Sequence, residues 1–100
     1  MSDKADRIRI DKWLWHARFY KTRVLAQEAA DKGRIRVNGN RVEKAGRGIR
    51  AGDVLTIPAG REVLVVRVVA FGERRGPAPE AHLLYEIVAA DGLDPKGPPP

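Results

Sequence analysis

Apolar and polar residues near the N-terminus follow first the period of a strand and then that of a helix. From Arg7 to Ile10 charged and apolar residues alternate, which favours a short extended lead-in. Asp11 is then a candidate N-cap, with Ile10 just outside it as a hydrophobic staple, and Leu14 follows at helical spacing. The pattern predicts a first short helix over roughly residues 12–19.

A second helical pattern follows directly. Thr22 is the next capping residue, and Gly33 is typical of the residue that ends a helix, because glycine readily takes a positive φ. The sequence predicts a second helix over about residues 23–32. Its apolar stripe consists of Val24, Leu25, Ala26, Ala29 and Ala30.

Strand patterns begin after the second helix. Residues 34–37 alternate in polarity and lead into Asn38-Gly39, the strongest short hairpin signal, because both residues tolerate the positive φ of a type I′ turn. A brief return strand is expected to start near Asn40. Residues 46–51, which are rich in glycine and arginine, are expected to form a loop.

Three further strands complete the predicted fold. They span residues 54–57, ended by Pro58; residues 63–70, a central strand rich in β-branched side chains; and residues 83–88, reached through a linker at 73–79. Two helices followed by strands predict an α+β domain, in which the helix pair packs on one side of a small, curved, mainly antiparallel sheet.

The two tryptophans of the first helix cannot face the same way, because positions two apart on a helix diverge. Trp13 aligns with Tyr20 in a stripe that is predicted to be buried. Trp15 aligns with Lys12 and Phe19, so we expect it to be exposed or half-exposed and free to stack on a base or ribose. The alternative is that both rings pack at the edge of the core.

Charge is strongly asymmetric along the chain. Residues 1–50 carry 14 Lys and Arg against 6 Asp and Glu, a net charge of +8, whereas residues 51–100 carry 5 against 7, a net charge of −2. A basic half of this kind is the electrostatic footprint of a protein that binds a polyanion, and nucleic acid is the commonest such partner. The alternative is a basic surface that serves solubility alone.

Composition narrows the function classes. The chain has no Cys, which excludes disulfides, thiolate catalysis and zinc–thiolate sites. Since no apolar run approaches the roughly 18 residues needed to span a bilayer, we expect a cytoplasmic protein without membrane contact. At 100 residues the chain is expected to be one domain, over residues 8–90, between disordered segments at 1–7 and at the Pro-rich 91–100.

Catalytic and metal chemistry has no clear candidate in the sequence. His16 and His82 lie far apart without metal-ligand spacing, and Gly46-Arg47-Gly48 lacks the pattern of a nucleotide-binding loop. A second, catalytic domain has no room in a chain of this length. We therefore expect no enzyme activity, no metal and no cofactor.

The candidate binding surface lies on the helix pair and the first hairpin. Lys21, Thr22 and Arg23 place two cations at the start of the second helix, where backbone N–H groups and the helix dipole already favour a phosphate. A plain capped helix with solvated cations is the alternative. Because cations outnumber amide side chains, we expect recognition of phosphate and shape rather than bases. The predicted RNA-binding residues are Arg9, Lys12, Trp15, Arg18, Lys21, Thr22, Arg23, Gln27, Arg34, Arg36, Asn38, Arg41 and Lys44.

One long stretch resembles the S4 (alpha-L) RNA-binding domain, namely RIDKWLWHARFYKTRVLAQEAADKGRIRVNG. Within that superfamily, the motifs DKWLW, ARFYKTR, VNG and ERRGPAPEAHLLYE are similar to the fifteen-kilodalton heat shock protein family. The resemblance covers about residues 8–88, with an alpha-L core at about residues 8–57. The motif positions that it marks are Arg9, Asp11, Lys12, Trp15, Arg18, Lys21, Thr22, Arg23, Arg36, Asn38 and Gly39.

The resemblance implies a function. It implies a helix pair and hairpin that cradle structured RNA, in a factor for translation recycling or quality control that associates with the free large ribosomal subunit carrying a stalled nascent chain. Longer family members continue into a basic extension, whereas this chain reaches Pro100 through an acidic, Pro-rich segment. We expect the core RNA-binding surface to be unaffected by this difference.

Other functions stay open at this point. One is a stand-alone module for tRNA or another structured RNA. Another is an accessory subunit of an RNA-modifying enzyme, since similar domains are appended to pseudouridine synthases and RNA methyltransferases. Sequence-specific DNA binding would need exposed side chains at a helix N-terminus, for which Arg23 and Gln27 are thin support. A monomer is expected, because the sequence has no evident apolar patch.

Overall fold

The computed structural model describes residues 6–90. The tail predicted at 91–100, and residues 1–5 of the predicted N-terminal segment, lie outside the described residues. In chain order the elements are β1 (Ile8–Arg9), α1 (Ile10–His16), α2 (Arg23–Asp31), β2 (Arg36–Val37), β3 (Asn40–Arg41), β4 (Gly48–Ile49), β5 (Val54–Ala59), β6 (Glu62–Val68), α3 (Ala78–Ala81), a 3₁₀ turn (His82–Leu84) and β7 (Tyr85–Ala90).

Within residues 6–90, five strands form an antiparallel sheet in the order β3-β2-β5-β6-β7, and β1 pairs separately with β4. One buried core joins the helix pair to this sheet. It includes Trp13 from α1, Ala26 from α2 and Leu55 from β5. The predicted α+β class with a mainly antiparallel sheet is confirmed.

Helix α1 begins and ends earlier than the predicted helix. The predicted N-cap role of Asp11 is wrong, because Arg9 occupies that position and Asp11 lies buried in the first turn, where its carboxylate is drawn into an ion pair with Arg9. The far end is set by Arg18, whose φ of 67° is incompatible with a right-handed helix. The chain therefore leaves the helix before Phe19.

Helix α2 is capped as predicted but buried differently. The Thr22 hydroxyl accepts a hydrogen bond from the Leu25 N–H at 3.1 Å, and Gly33 has a φ of 74° just beyond the helix end. The predicted apolar stripe is wrong at its start, since Val24 and Leu25 are 59% and 44% exposed. The buried face of α2 is narrow and consists of Ala26, Ala29 and Ala30.

The β2–β3 hairpin has the predicted turn. Asn38 and Gly39 have φ values of 51° and 86°, as a type I′ turn requires. The first strand is shorter than predicted and begins at Arg36, which lies directly opposite Arg41. The turn therefore places two cations side by side.

Two segments that are predicted to be irregular contain short regular elements. The predicted loop at 46–51 contains β4, because Ile49 and Gly48 pair with Ile8 and Arg9 of the N-terminal strand. This pairing joins residues 39 and 41 positions apart in the sequence, which local pattern does not reveal. The predicted linker at 73–79 is irregular over residues 73–77, as predicted, and its last two residues begin α3.

Strand β5 continues through Pro58 instead of ending there. Pro58 lies opposite Val63 of β6, while β2 pairs only with Leu55 and Thr56 on the other side of β5. At Pro58 the strand thus has a partner on one side, where proline's missing N–H is tolerated. The predicted end of this strand at residue 57 is wrong for that reason.

Trp13 fastens the helix pair to the second half of the chain. Its ring is fully buried, and its indole N–H donates to the Ala70 carbonyl at 2.8 Å. One turn along α1, the buried His16 places Nδ1 3.1 Å from the Phe71 carbonyl oxygen. The Tyr85 ring packs edge-on against Trp13 at 6.4 Å. Trp13 is buried as predicted.

Replacing Trp13 tests this connection. We expect Trp13→Phe to lower the free energy of unfolding by about 2 to 3 kcal/mol, because it leaves a cavity and an unpaired Ala70 carbonyl. Urea denaturation measures the change. Trp15→Phe is the control, since Trp15 is half-buried, and it should cost less than about 1 kcal/mol. Equal losses in the two variants would contradict the assignment.

Candidate nucleic-acid interface

An open cavity of about 900 Å³ lies between α2 and the segment that leads from β3 to β4. Basic side chains dominate its wall. Among the described residues that line it are four cations, two carboxylates and one amide: Arg9, Arg41, Lys44, Arg47, Asp31, Glu43 and Gln27. Surfaces with an excess of cations attract the phosphates of nucleic acid.

The structure brings some of the predicted site residues together in this cavity. They are Arg9, Gln27, Arg41 and Lys44. Arg23 lies one turn before Gln27 on α2, and its guanidinium approaches the same Asp11 that binds Arg9. The first turn of α2 and the cavity are thus neighbouring parts of one surface, which we call the basic face: Arg9, Arg23, Gln27, Arg41, Lys44 and Arg47.

Other predicted residues lie elsewhere or are used by the fold. Arg34 lines a separate groove with Tyr20 and Lys32. The Asn38 side chain accepts from the Val54 N–H at 2.9 Å and donates to Asp53 at 3.1 Å, so its polar atoms hold the hairpin turn. The remaining predicted residues outside the cavity are Lys12, Arg18 and Lys21, all exposed, the half-buried Trp15, the capping Thr22, and Arg36, which donates to the Gly39 carbonyl.

Arg47 is the cavity residue that sequence reasoning missed. The sequence places Gly46-Arg47-Gly48 in a predicted loop without the pattern of a nucleotide-binding loop. The structure gives the segment an anchor instead, since the Ile10 N–H donates to the Arg47 carbonyl at 2.8 Å. Its positive charge was the one available signal.

Asp11 holds two arginines of the basic face. Its side chain is fully buried, and its two oxygens accept from Nε and Nη2 of Arg9 at 3.1 and 2.9 Å. Oδ1 also accepts from the Lys12 N–H at 2.7 Å and lies 3.6 Å from Nη2 of Arg23. Burial by itself would raise the pKa of Asp11, but the hydrogen bonds from Arg9 and Lys12 and the charge of Arg23 together lower it.

The guanidinium of Arg41 lies against Gly33, the glycine that follows α2. A Cβ at Gly33 would lie 2.3 Å from Nε of Arg41, a separation that real atoms do not reach. Gly33 thus leaves room for the guanidinium and also takes the positive φ at the helix end. Across the hairpin, Arg41 faces Arg36 directly, and like charges so placed repel. A bound anion would relieve that repulsion.

The basic face has the chemistry of an anion-binding surface. Guanidinium groups donate in a fork that matches phosphate oxygens, and two of them here, those of Arg9 and Arg23, pair with the buried Asp11. In the part of the chain that the structure describes, no group of three His, Asp or Glu side chains is placed to hold a metal ion. Over the same residues, no helix is long and apolar enough to cross a membrane.

A helix pair followed by a type I′ hairpin, with cations on the face that they share, defines an S4-domain protein. A family model for the S4 domain matches residues 8–55. The chain is 42% identical over 89 residues to a heat shock protein 15 homolog from Aeromonas salmonicida, covering 89% of this chain and 67% of that protein. The chain belongs to the heat shock protein 15 family of S4-domain proteins, as the sequence resemblance predicted.

Two more similarities extend this result. A protein from Halalkalibacterium halodurans named RQC P-site tRNA stabilizing factor is 41% identical over 80 residues, which cover 80% of this chain and 89% of that one. The trimeric structure of heat shock protein 15 from Vibrio cholerae matches with a TM-score of 0.79 and 37% identity over 84% of each chain. The chain spans about two thirds of the length of the curated heat shock protein 15 relatives.

The buried carboxylate makes stability depend on pH in a defined direction. The pKa of Asp11 is lowered in the folded protein. Ionised Asp11 therefore stabilises the fold at pH values above the ordinary aspartate pKa of about 3.9. This stabilisation is lost as the pH falls through the lower folded-state pKa. Asp11→Asn should therefore unfold with about 1 to 3 kcal/mol less free energy at neutral pH and lose less stability on acidification. Urea titrations at a series of pH values measure both; parallel pH curves for the two proteins would contradict the prediction.

Proposed function

We propose that this protein binds structured RNA through the phosphates that its basic face contacts, and that it does so without catalysis. The observation that carries the proposal is the convergence of Arg9, Arg41, Lys44 and Arg47 on one cavity beside α2. Phosphate contacts position a protein on RNA without reading bases. An RNA helix recognised by shape presents such phosphates at regular spacing.

The RNA that we propose is ribosomal RNA of the large subunit, in the cytoplasm. The function would be stalled-ribosome recycling or nascent-chain quality control. Family membership supports this choice, as does the name of the Halalkalibacterium halodurans relative, which refers to a P-site tRNA. A tRNA held on the same subunit is a second proposed contact. The domain that we propose to act is residues 8–90.

A stand-alone module for tRNA or another structured RNA is the second candidate. Arg18 and Lys21, which are exposed and do not line the cavity beside α2, support it because they offer cations to an RNA that contacts the helix pair elsewhere. Competition for the labelled protein between purified tRNA and large subunits separates the two candidates. An accessory role beside an RNA-modifying enzyme would instead appear as a stable enzyme partner in a pull-down.

Arg23 tests recognition through phosphates. We expect Arg23→Ala to weaken binding to RNAs of unrelated sequence alike and to reduce the slope of log affinity against log salt by about 0.9, or less for single strands, for each phosphate that the variant no longer binds. Filter binding over a salt series measures both quantities. Arg67→Ala, which removes the same charge from β6, is the control and should keep the wild-type slope. Loss of discrimination between sequences at an unchanged salt slope would contradict the mechanism.

Sedimentation tests the ribosomal assignment. Tagged protein from cell lysate is run through a sucrose gradient at low and at moderate salt. We expect it to migrate with free large subunits at low salt and to leave them as salt rises. A profile confined to the top fractions at both salt concentrations would leave the generic RNA-binding module as the better proposal.

The oligomeric state is a separate point. The sequence predicts a monomer, whereas the Vibrio cholerae protein is described as trimeric. We propose the monomer as the RNA-binding form, because the basic face described above is complete within one chain. Light scattering of the purified protein, free and with RNA, distinguishes the two states.

A further inference from the structure

We propose that Asp11 is a positioning residue of the RNA-binding surface: a buried negative charge that strengthens binding to a polyanion by fixing Arg9 and Arg23. This inference rests on the proposed function. Asp11 would raise the affinity for RNA, although its negative charge by itself would lower that affinity.

The side chain of Asp11 is directed at two residues of the basic face. Arg9 makes a two-pronged interaction with both carboxylate oxygens, although its own side chain remains 51% exposed. The guanidinium is therefore tethered and still accessible to a ligand. Arg23 approaches the same carboxylate from α2 with a side chain that is 38% exposed. One buried group thus orients cations from two segments of the chain.

Arg23 has Asp11 as its one ion-pair partner among the described residues. Its Nε is buried and has no hydrogen-bond partner among the described residues, so the interaction with Asp11 is the ion pair that holds its guanidinium. Arginine side chains lose considerable rotamer freedom when they are fixed on a phosphate. An arginine that is already oriented in the free protein loses less of that freedom on binding, and affinity rises accordingly.

Charge alone predicts the reverse. A carboxylate near bound phosphates repels them, so its removal should tighten RNA binding. Glu43 provides the matched case: it lines the same cavity, is exposed, and has no ion pair within the described part of the chain. Glu43→Gln and Asp11→Asn each remove one negative charge from this region. They differ in that Asp11 holds arginines.

The experiment compares these two variants in filter binding with labelled large-subunit ribosomal RNA over a salt series. Glu43→Gln should bind as tightly as the wild type or more tightly. Asp11→Asn should bind about tenfold more weakly, the equivalent of one charge-assisted hydrogen bond, with a shallower salt slope. Circular dichroism at the assay temperature establishes that both variants are folded. A folded Asp11→Asn that binds as tightly as Glu43→Gln overturns the proposal.

A second variant keeps the test decisive if Asp11→Asn does not fold. Arg9→Lys preserves the charge but cannot make the two-pronged interaction with Asp11. It should weaken RNA binding at unchanged net charge, and unchanged binding would overturn the proposal. If the wild-type protein itself shows no salt-sensitive affinity for this RNA, the proposed function fails and this inference fails with it. If the wild type binds this RNA tightly and the Asp11→Asn and Arg9→Lys variants bind equally well, the role of Asp11 is wrong while the proposed function stands.

Discussion

The basic face depends on how helix α2 is held, because this helix forms one wall of the cavity. Of the nine residues of α2, all described, three are buried, and all three are alanines, so the apolar area that the helix removes from water is small. A helix of this length is marginal in isolation. Polar interactions at its two ends therefore help to fix its position. In the first turn Arg23 pairs with Asp11, and at the last residue of the helix Asp31 accepts a hydrogen bond from the Ala45 N–H at 2.8 Å. Two carboxylates in this cationic region, Asp11 and Asp31, thus have structural partners.

The hairpin opposite α2 is destabilised by the repulsion between its own cations. Arg36 and Arg41 face each other across two short strands, and their repulsion acts against the pairing that forms the turn. The hairpin is held by other means. The Asn38 side chain joins it to Asp53 and Val54 at the start of β5, and β2 also pairs with β5. The Asn38 side chain, which the sequence predicted to bind RNA, thus stabilises the hairpin that carries the cations.

Much of this arrangement was predictable from local pattern, and the reasons for the failures are physical. The helix pair, the Asn38-Gly39 turn and the buried Trp13 follow from spacing and from conformational preference, which act over a few residues. The β1–β4 pairing did not follow, because it is decided by partners distant in sequence. Asp11 was misassigned for a related reason: an acidic residue beside a helix start is a common cap, and its neighbouring arginine drew it inward instead. The sequence predicted the candidate site as a set of mainly basic residues. Only the fold shows which of these residues line the same cavity.

The hydrogen bond from Trp13 to Ala70 has a consequence for the order of events during synthesis. Its partners are 57 residues apart, and the Tyr85 ring that packs on Trp13 comes later still. Interactions of such sequence separation form late, because a long loop must close before they stabilise anything. A growing chain that contains both helices and the hairpin still lacks the acceptor for its central tryptophan. The tryptophan at the centre of the helix pair therefore gains its hydrogen-bond acceptor and its edge-on aromatic contact only after residue 85 has been made.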